Sequence, residues 1–349
     1  MGADREVVQI VPRLPPPAEG VGSFAEGLAA ALAAGPGVPM SSRLLAAGPG
    51  APGSVREAGA FASRLEREAG DSPILLHYVG YGYEPRGCPR WLVDALAAWK
   101  ASGKGRRLVT LFHEVYASGP PWRSSFWLSP AQRRLAARLS LLSDGRVTSL
   151  AHYRSLIERL APGARVAVLP VFSTVGEPAE APPLAARARR LVIFGGPGAR
   201  MRAYGRNSGR LESAIERLEI EEILDVGPPG SSDATPPRSL AGRHVRCLGE
   251  LPAAEAGGLL SGSIAGFAAY PPRFLPKSTV FAACCAHGML PLCAAPGQGE
   301  GEADVLDVPP FWEPACGEDL QAVADRARAW YRPHRAAAHA DLYRGLLLP

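Results

Sequence analysis

The chain of 349 residues lacks several features that would assign a function directly. It has no run of 18 apolar residues and no charged start followed by an apolar stretch, which argues against a membrane span and a secretion signal. It also has no His-x-x-x-His pair, no P-loop lysine motif and no Gly-x-Ser-x-Gly turn. No recognised motif therefore supports metal catalysis or hydrolase chemistry. We therefore expect a cytoplasmic protein without a metal site.

Cysteine and net charge are also low. The six cysteines form no Cys-x-x-Cys pair and three lie in apolar runs, which favours buried free thiols over disulfides or metal ligands. The net charge of +5 is small and dispersed; it gives no indication of nucleic-acid binding, and it fits a phosphate-bearing substrate and an anionic membrane surface equally well. Hydrophobic residues make up 47% of the chain, which is typical of globular proteins, and the length suffices for two domains.

Apolar strands alternate with amphipathic helices along most of the sequence, a pattern that predicts βαβ units and a parallel sheet. In the first half we predict strands at 7–11, 43–47, 74–79, 108–113, 145–149 and 166–171, and helices at 23–32, 55–68, 89–101, 130–142 and 151–160. In the second half we predict strands at 191–194, 222–226, 244–248, 264–269 and 289–293, and helices at 210–218, 253–260, 278–286 and, broken at Pro333, 319–347.

The alternation stops between 173 and 190, where prolines are frequent and no apolar face repeats, so this stretch is predicted to be a linker. The predicted organisation is an N-terminal Rossmann-like domain over 1–172, the linker 173–190, a second Rossmann-like domain over 191–326, and a helix over 327–349 that crosses back to the first domain. A turn at 311–314 and a surface loop at 228–240 are also predicted.

The late segment Phe274–Cys293 reads as a loop, a helix and a buried strand, and it brings Lys277, Ser278 and Thr279 to the start of the helix. Unpaired backbone N–H groups and the positive end of the helix dipole suit a phosphate there, and the lysine adds a cation. The alternative is an ordinary helix cap, because serine and threonine are favoured at that position in any helix.

Other candidates follow the ends of predicted strands, the edge where parallel α/β sheets bind ligands. They are the glycines Gly20 and Gly22 after the first strand, His77 near the end of the third, and His113 at the end of the fourth. The alternatives are a tight turn for the glycines and a structural, partly buried role for each histidine.

Aromatic and basic residues are concentrated in the first half. Tyr81 and Trp122 are candidates for stacking on a flat or apolar ligand, with core packing as the alternative, and the aromatic stretch 119–127 is predicted to be a mobile flap. The flap and the next helix have a basic face formed by Arg123, Arg133, Arg134 and Arg138. This face is either a solvated helix surface or a site of peripheral contact with an anionic membrane.

Several segments together resemble the GT-B glycosyltransferases, most closely the retaining family 4 (glycosyl transferases group 1), over nearly the whole chain. They are Gly20-Val-Gly-Ser-Phe-Ala-Glu-Gly-Leu28, Leu75-Leu-His-Tyr-Val-Gly80, Leu111-Phe-His-Glu-Val115, Asp144-Gly-Arg-Val-Thr-Ser149 and Val192-Ile-Phe-Gly-Gly-Pro-Gly198. The resemblance implies two facing Rossmann-like domains with an interdomain cleft. It also implies metal-independent, retaining transfer from a nucleotide-diphosphate sugar, with no cofactor, to a small-molecule, glycan or lipid-linked acceptor.

The resemblance also implies roles for individual residues. His113 would contact the transferred sugar as the catalytic residue, while His77, Gly20, Gly22, Tyr81 and Trp122 would line the acceptor side. The diphosphate would be held by Lys277, Ser278, Thr279, the loop at Gly195 and Gly196, and Arg200 or Arg202. Leu248 and Gly249 resemble the turn that binds the base. A lipid-linked acceptor would bring the protein to the inner membrane face.

The chain departs from the family at the positions of its two donor-binding glutamates, where Leu275 and Ala283 stand, and Gly196 replaces an expected arginine. Backbone carbonyls at 273–275, or Glu300, Glu302 or Glu313, are candidate replacements as ribose acceptors. Two other functions stay open: a GT-B-like binding or partner protein without transfer activity, and a sugar-nucleotide epimerase.

Overall fold

The computed structural model describes residues 5–14, 20–34, 39–50, 56–230, 235–294 and 317–348. The chain divides into two compact units. Unit 1 consists of Met1–Pro170 and Ala336–Pro349, and unit 2 consists of Val171–Arg335. No helix among the described residues is both long enough and apolar enough to cross a membrane.

Unit 1 is built on a six-stranded parallel sheet with the order β2-β1-β3-β4-β5-β6. Its strands are β1 (Arg5–Val11), β2 (Met40–Ala46), β3 (Ile74–Tyr78), β4 (Leu108–Phe112), β5 (Gly145–Thr148) and β6 (Ala167–Val168). Its helices are α1 (Gly20–Ala34), α2 (Ala58–Glu68), α3 (Gly80–Tyr83), α4 (Arg90–Ser102), α5 (Ser124–Leu142) and α6 (Ala151–Leu160), together with α12 (Ala336–Leu347). Every residue of β3 and β4 is buried, as expected for central strands covered on both faces.

The last helix belongs to unit 1 because α12 packs against α1. Arg344 donates from Nη2 to the carbonyl oxygen of Leu32 at 2.9 Å, near the end of α1, where backbone carbonyls lack helical partners. Arg107 Nε donates to the carbonyl of Leu346 at 3.1 Å, which ties the end of α12 to the start of β4.

Unit 2 contains a second six-stranded sheet with the order β12-β11-β7-β8-β10-β9, parallel except at the β10–β9 edge pair. Its strands are β7 (Ala188–Phe194), β8 (Glu222–Val226), β9 (Ser239–Leu240), β10 (Arg243–Gly249), β11 (Ser263–Ala268) and β12 (Leu290–Cys293). Its helices are α7 (Pro197–Tyr204), α8 (Ser208–Arg217), α9 (Ala253–Ser261), α10 (Thr279–Ala286) and α11 (Leu320–Tyr331). The core joins β7, β8 and α10 through side chains such as Val192, Leu224 and Ala283.

The predicted alternation of strands and helices is confirmed, with differences at element ends and in short elements. Helix α1 begins at Gly20 instead of Ser23, so Gly20 and Gly22 lie in its first turn and not in a loop. Helix α5 begins at Ser124 and carries Pro130 inside it, so half of the predicted flap is helical. Helix α3 was not predicted because four residues are too few to show an apolar period, and α7 was not predicted because Pro197–Tyr204 has no repeating apolar face.

The predicted linker is partly regular structure: a 3-10 helix spans Leu184–Ala186, and β7 starts at Ala188. Strand β6 keeps only two residues of the predicted 166–171. Of the cysteines that the structure describes, Cys284, Cys285 and Cys293 are buried, Cys88 is partly exposed and Cys247 is exposed, so the expectation of buried thiols is wrong at Cys247. The predicted turn at 311–314 and part of the loop at 228–240 lie outside the described residues.

Candidate functional site

Two histidines meet at the carboxyl edge of the sheet in unit 1. His77 lies on β3, and His113 directly follows β4, the neighbouring strand. His77 Nδ1 lies 3.2 Å from His113 Nε2, and the two rings are nearly parallel, 5.5 Å apart between centroids. His77 is fully buried, whereas His113 is partly exposed. The pair therefore has one ring in the core and one that reaches the surface.

Gln9 lies between apolar neighbours in β1 and extends the hydrogen-bonded contact from His77 into the core. Its Oε1 atom lies 2.8 Å from His77 Nε2, and its Nε2 atom donates to the carbonyl oxygen of Ala25 in α1 at 3.3 Å. Gln9 was not among the residues predicted for a site. The signal that could have found it is its position between apolar neighbours, since buried polar side chains need partners.

Burial holds the pKa of His77 well below its ordinary value, and the neighbouring His113 ring lowers that pKa further. His77 is therefore neutral at physiological pH. Phe24 of α1 lies edge-on to both rings, 6.0 Å from His77 and 5.7 Å from His113 between ring centroids, and it fixes their positions by packing.

The other residues predicted for the acceptor side lie at different places in unit 1. Gly22 is buried in the first turn of α1, two residues before Phe24, while Gly20 is exposed at the start of that helix. Tyr81 lies on α3, and its hydroxyl accepts a hydrogen bond from Gln132 Nε2 at 3.2 Å. Trp122 precedes α5 and is 84% exposed.

In unit 2, the predicted phosphate site at the start of α10 has a defined cap. Ser278 is buried, and its Oγ atom accepts a hydrogen bond from the backbone N–H of Phe281 at 3.2 Å. Lys277 ends a 3-10 helix over Pro272–Lys277, and its Nζ atom lies 5.8 Å from the Phe274 ring centroid. Thr279 is partly exposed in the first turn. The Ser278 hydroxyl thus caps its own helix, while Lys277 and Thr279 retain some surface exposure.

Arg200 is buried and binds the backbone of the loops after β7 and β8. Its Nε atom donates to the carbonyl of Gly195 at 3.0 Å, and its two other nitrogens donate to Asp225 and to the carbonyl of Pro228. Tyr204 also donates to Asp225, at 2.9 Å. Burial raises the pKa of Asp225, against the opposing effects of Tyr204 and Arg200.

Arg202 differs from Arg200 because it is exposed on α7, with its guanidinium carbon 5.8 Å from the Tyr270 ring centroid. A pocket lies beside these residues, at the ends of β7 and β11. It is lined by Ile193, Phe194, Ala199, Arg200, Phe267, Ala269, Tyr270 and Val280. The pocket therefore adjoins the first turn of α10, to which Val280 belongs.

The glycines at this edge allow close packing. Gly195 has φ +113°, and a Cβ atom there would lie 3.1 Å from Val280 Cγ2. Gly196 is exposed and precedes α7 as its N-cap residue. Gly249 ends β10 with φ +72°, next to the partly exposed Leu248, and its carbonyl accepts from the Gly227 N–H at 2.7 Å. These loops lie at the carboxyl ends of adjacent strands.

The positions where the family would have glutamates are core positions in this chain. Leu275 and Ala283 are both 0% exposed, and Ala283 packs in the apolar cluster of unit 2. A carboxylate at either position would be desolvated without a partner, which is costly. Glu300, Glu302 and Glu313, the predicted replacements, lie outside the described residues. Among the residues that are described, no three His, Cys, Asp or Glu side chains are grouped so as to hold a metal ion.

No family model matches the chain, and no curated protein matches it by sequence. Several solved structures, however, are similar to it in fold. A glycosyltransferase from Rickettsia africae ESF-5 is similar with 12% identity and a TM-score of 0.56, covering 99% of both chains. An α,α-trehalose 6-phosphate synthase from Burkholderia multivorans is similar with 13% identity and a TM-score of 0.57, covering 99% of this chain and 98% of that one.

A third similar structure is a trehalose-6-phosphate protein from E. coli bound with UDP-2-fluoro glucose, with 11% identity and a TM-score of 0.57 over 98% of both chains. The GT-B fold predicted from the sequence is therefore confirmed, with two parallel-sheet α/β units in one chain. At such low identity the similarity establishes the fold alone.

Proposed function

We propose that the protein is a glycosyltransferase that moves a sugar from a nucleotide-diphosphate sugar to an acceptor. The observation that carries this proposal is the partly exposed His113 at the carboxyl edge of a GT-B sheet, supported from inside by His77 and Gln9. Parallel α/β sheets bind ligands at that edge. A side chain held in place by a buried network is suited to a role in which orientation matters.

For the donor we propose the carboxyl edge of the sheet in unit 2. Lys277 and the first turn of α10 provide a cation and helix N–H groups for the diphosphate, and exposed Arg202 adds a second cation beside the pocket. Gly195 and Gly196 leave room for close backbone approach, and Leu248 with Gly249 is the candidate turn for the base. Arg200 would act indirectly, by holding the loops after β7 and β8.

The chemistry needs stabilisation of a departing diphosphate and of an oxocarbenium-like sugar. Cations and a helix dipole can stabilise the leaving group without a metal ion or cofactor, and retention of the anomeric configuration is the outcome that the family resemblance implies. We propose that His113 hydrogen-bonds the transferred sugar. A contact of this kind, made mainly in the transition state, raises kcat with little effect on nucleotide affinity.

The test is sugar release and transfer from a panel of nucleotide-diphosphate sugars by the full chain, with His113→Ala as the variant. We expect turnover to fall by about tenfold or more while the Kd for the nucleotide stays nearly unchanged. His152→Ala is the matched control, because His152 is an exposed histidine on α6 of the same unit. An equal loss in both variants, or no transfer from any donor, would contradict the proposal.

Two other outcomes of the same panel identify the alternatives. Nucleotide binding without release or transfer would identify a GT-B-like binding or partner protein. Isomerisation of the donor sugar with the nucleotide bond intact would identify a sugar-nucleotide epimerase. The buried Leu275 and Ala283, in place of the family's carboxylates, are the observation that keeps the binding protein as the second candidate.

We also propose that the acceptor is lipid-linked and that unit 1 contacts an anionic membrane surface peripherally. Trp122 and Trp127 are 84% and 72% exposed; Arg123, next to Trp122 in the sequence, and Arg134, on the same helix as Trp127, are exposed too. Exposed tryptophans with neighbouring cations are typical of surfaces that lie in a membrane interface. Arg138 contributes less to that charge, because it pairs with Asp94 at 2.7 Å.

A further inference from the structure

We infer that Gln9 and His77 are positioning residues that fix the tautomer of His113, with the proton on Nε2 and with Nδ1 as the hydrogen-bond acceptor. This inference rests on the proposed role of His113 in sugar transfer, and it adds two residues and a protonation pattern to that role. Its basis is the directed chain of contacts from Ala25 through Gln9 and His77 to His113.

The Ala25 carbonyl, at the buried end of the series, determines which atoms donate and which accept in each hydrogen bond. The carbonyl oxygen of Ala25 can only accept, so the Gln9 atom 3.3 Å from it must be the amide nitrogen. The other amide atom of Gln9 is then the oxygen, which also only accepts. The His77 Nε2 atom, 2.8 Å away, must therefore carry a proton and donate it.

The protonation of His77 determines that of His113. A fully buried histidine is neutral, so one with a proton on Nε2 has a lone pair on Nδ1. That atom can only accept, and the His113 Nε2 atom 3.2 Å away is the one that donates to it. In neutral His113 the lone pair is then on Nδ1. This nitrogen can accept a hydrogen bond from a sugar hydroxyl, or take up its proton.

Neighbouring residues hold this series of hydrogen-bonded side chains in one geometry. The backbone N–H of His113 donates to the carbonyl of Tyr78 at 3.0 Å, and the Tyr83 hydroxyl lies 2.9 Å from the carbonyl of His77. Phe24 packs edge-on against both rings and is adjacent to Ala25 in α1. One turn of α1 therefore supplies both the packing surface for the rings and the acceptor that orients Gln9.

The test is two-dimensional NMR of the full chain with ¹⁵N-labelled histidine, in the absence of any donor. The ring nitrogens report the tautomer directly, and His113→Asn identifies the His113 signals by their loss. We expect a single pattern for wild-type His113, with Nε2 protonated and Nδ1 not. A pattern with the proton on Nδ1, or a mixture of tautomers, would overturn the inference.

Gln9→Met tests whether the hydrogen bonds from Gln9 through His77 set the tautomer of His113. Methionine has a similar size and cannot accept a hydrogen bond from His77 Nε2 in the way that the amide oxygen does. We expect the His113 pattern to become a mixture, and kcat for transfer to fall by roughly tenfold with KM within about twofold. The control is Thr110→Val, which removes a buried hydroxyl on β4 that is hydrogen-bonded to Ser143 Oγ at 2.7 Å. An unchanged His113 pattern in Gln9→Met would overturn the inference.

If Gln9→Met does not fold, His77→Gln provides the same test at the next residue of the chain, since it removes the ring nitrogens that link Gln9 to His113. We expect a mixed His113 pattern in that variant, and an unchanged pattern would count against the inference. The NMR result and the donor panel are separable. A fixed tautomer without any transfer would contradict the proposed function alone, and transfer with a mixed tautomer would contradict this inference alone.

Discussion

Arg200 on α7 and Asp225 near the end of β8 form an ion pair whose side chains are only 4% and 2% exposed. The other donor groups of Arg200 bind the carbonyls of Gly195 and Pro228, so one guanidinium joins two strand ends. The desolvation of both charges is compensated only while the pair is complete. The pair therefore sets the geometry of the loop that contains Gly195 and Gly196.

Removal of one partner is expected to be strongly destabilising. Arg200→Met leaves Asp225 buried without its cation, and we expect the free energy of unfolding to fall by about 3–5 kcal/mol. Urea denaturation followed by circular dichroism measures this change. Arg190→Met is the control, because its pair with Glu222 is partly exposed at 38% and 28%, and we expect a loss of about 1 kcal/mol or less. Equal losses in the two variants would contradict the prediction.

Acidification is expected to destabilise the fold through its buried and partly buried histidines. Burial lowers the pKa of His77 and of His287, and it lowers the pKa of His334 to about 4. A depressed folded-state pKa contributes stability that is present above the unfolded-state value of about 6.5 and is lost as pH falls toward the folded-state value. We expect the free energy of unfolding to decrease between about pH 6.5 and pH 4.

The same measurement in His77→Gln tests the contribution of one group. Each histidine that takes up a proton only on unfolding adds a slope of about 1.4 kcal/mol per pH unit in that range. The variant is expected to show a shallower pH dependence than the wild type. The control is Thr110→Val, a buried substitution that removes no titrating group, and it should leave the slope as it is. A His77→Gln slope equal to the wild-type slope would show that His77 does not titrate on unfolding.

Lys277 is expected to distinguish a nucleoside diphosphate from a nucleoside. Lys277→Ala removes a cation at the start of α10, and we expect diphosphate binding to weaken by about 1.5–3 kcal/mol, typical of a hydrogen bond to a charged group. Nucleoside binding should change little. Isothermal titration calorimetry with UDP and uridine, and with the corresponding adenine and guanine pairs, measures both. Lys104→Ala, an exposed lysine in unit 1, serves as the control; equal losses for both ligands would argue against a phosphate contact.

The exposed tryptophans before and at the start of α5 are expected to be needed for membrane contact. We expect the double variant Trp122→Ser with Trp127→Ser to lose most of its binding to vesicles of phosphatidylglycerol and phosphatidylcholine, because interfacial binding depends on buried aromatic area as well as charge. Vesicle sedimentation measures the bound fraction. Leu141→Ser, at the other end of α5 and 69% exposed, is the control. Wild-type protein that stays in the supernatant with anionic vesicles would contradict the proposed contact.

Local sequence patterns determined most of the regular structure of this protein. The segment Glu222–Val226, which is rich in aliphatic residues, and the amphipathic stretch Ala151–Leu160 predict β8 and α6 with the bounds that the structure has. Apolar periodicity and helix capping depend on residues that are close in sequence, so both can be recognised from the sequence alone. The alternation of such elements is also what predicted the GT-B fold, together with the order of the resembling segments.

Only the tertiary structure decided which polar residues meet. Gln9, His77 and His113 are far apart in sequence, and they come into contact because β1, β3 and β4 are neighbours in the sheet, an order that long-range packing sets. The burial of Arg200, and the separate exposure of Arg202 on the same helix, likewise depend on how α7 lies against β7 and β11. Local sequence preferences cannot predict these contacts. Their free energy depends on the burial of polar groups and on hydrogen-bond partners that are distant in sequence.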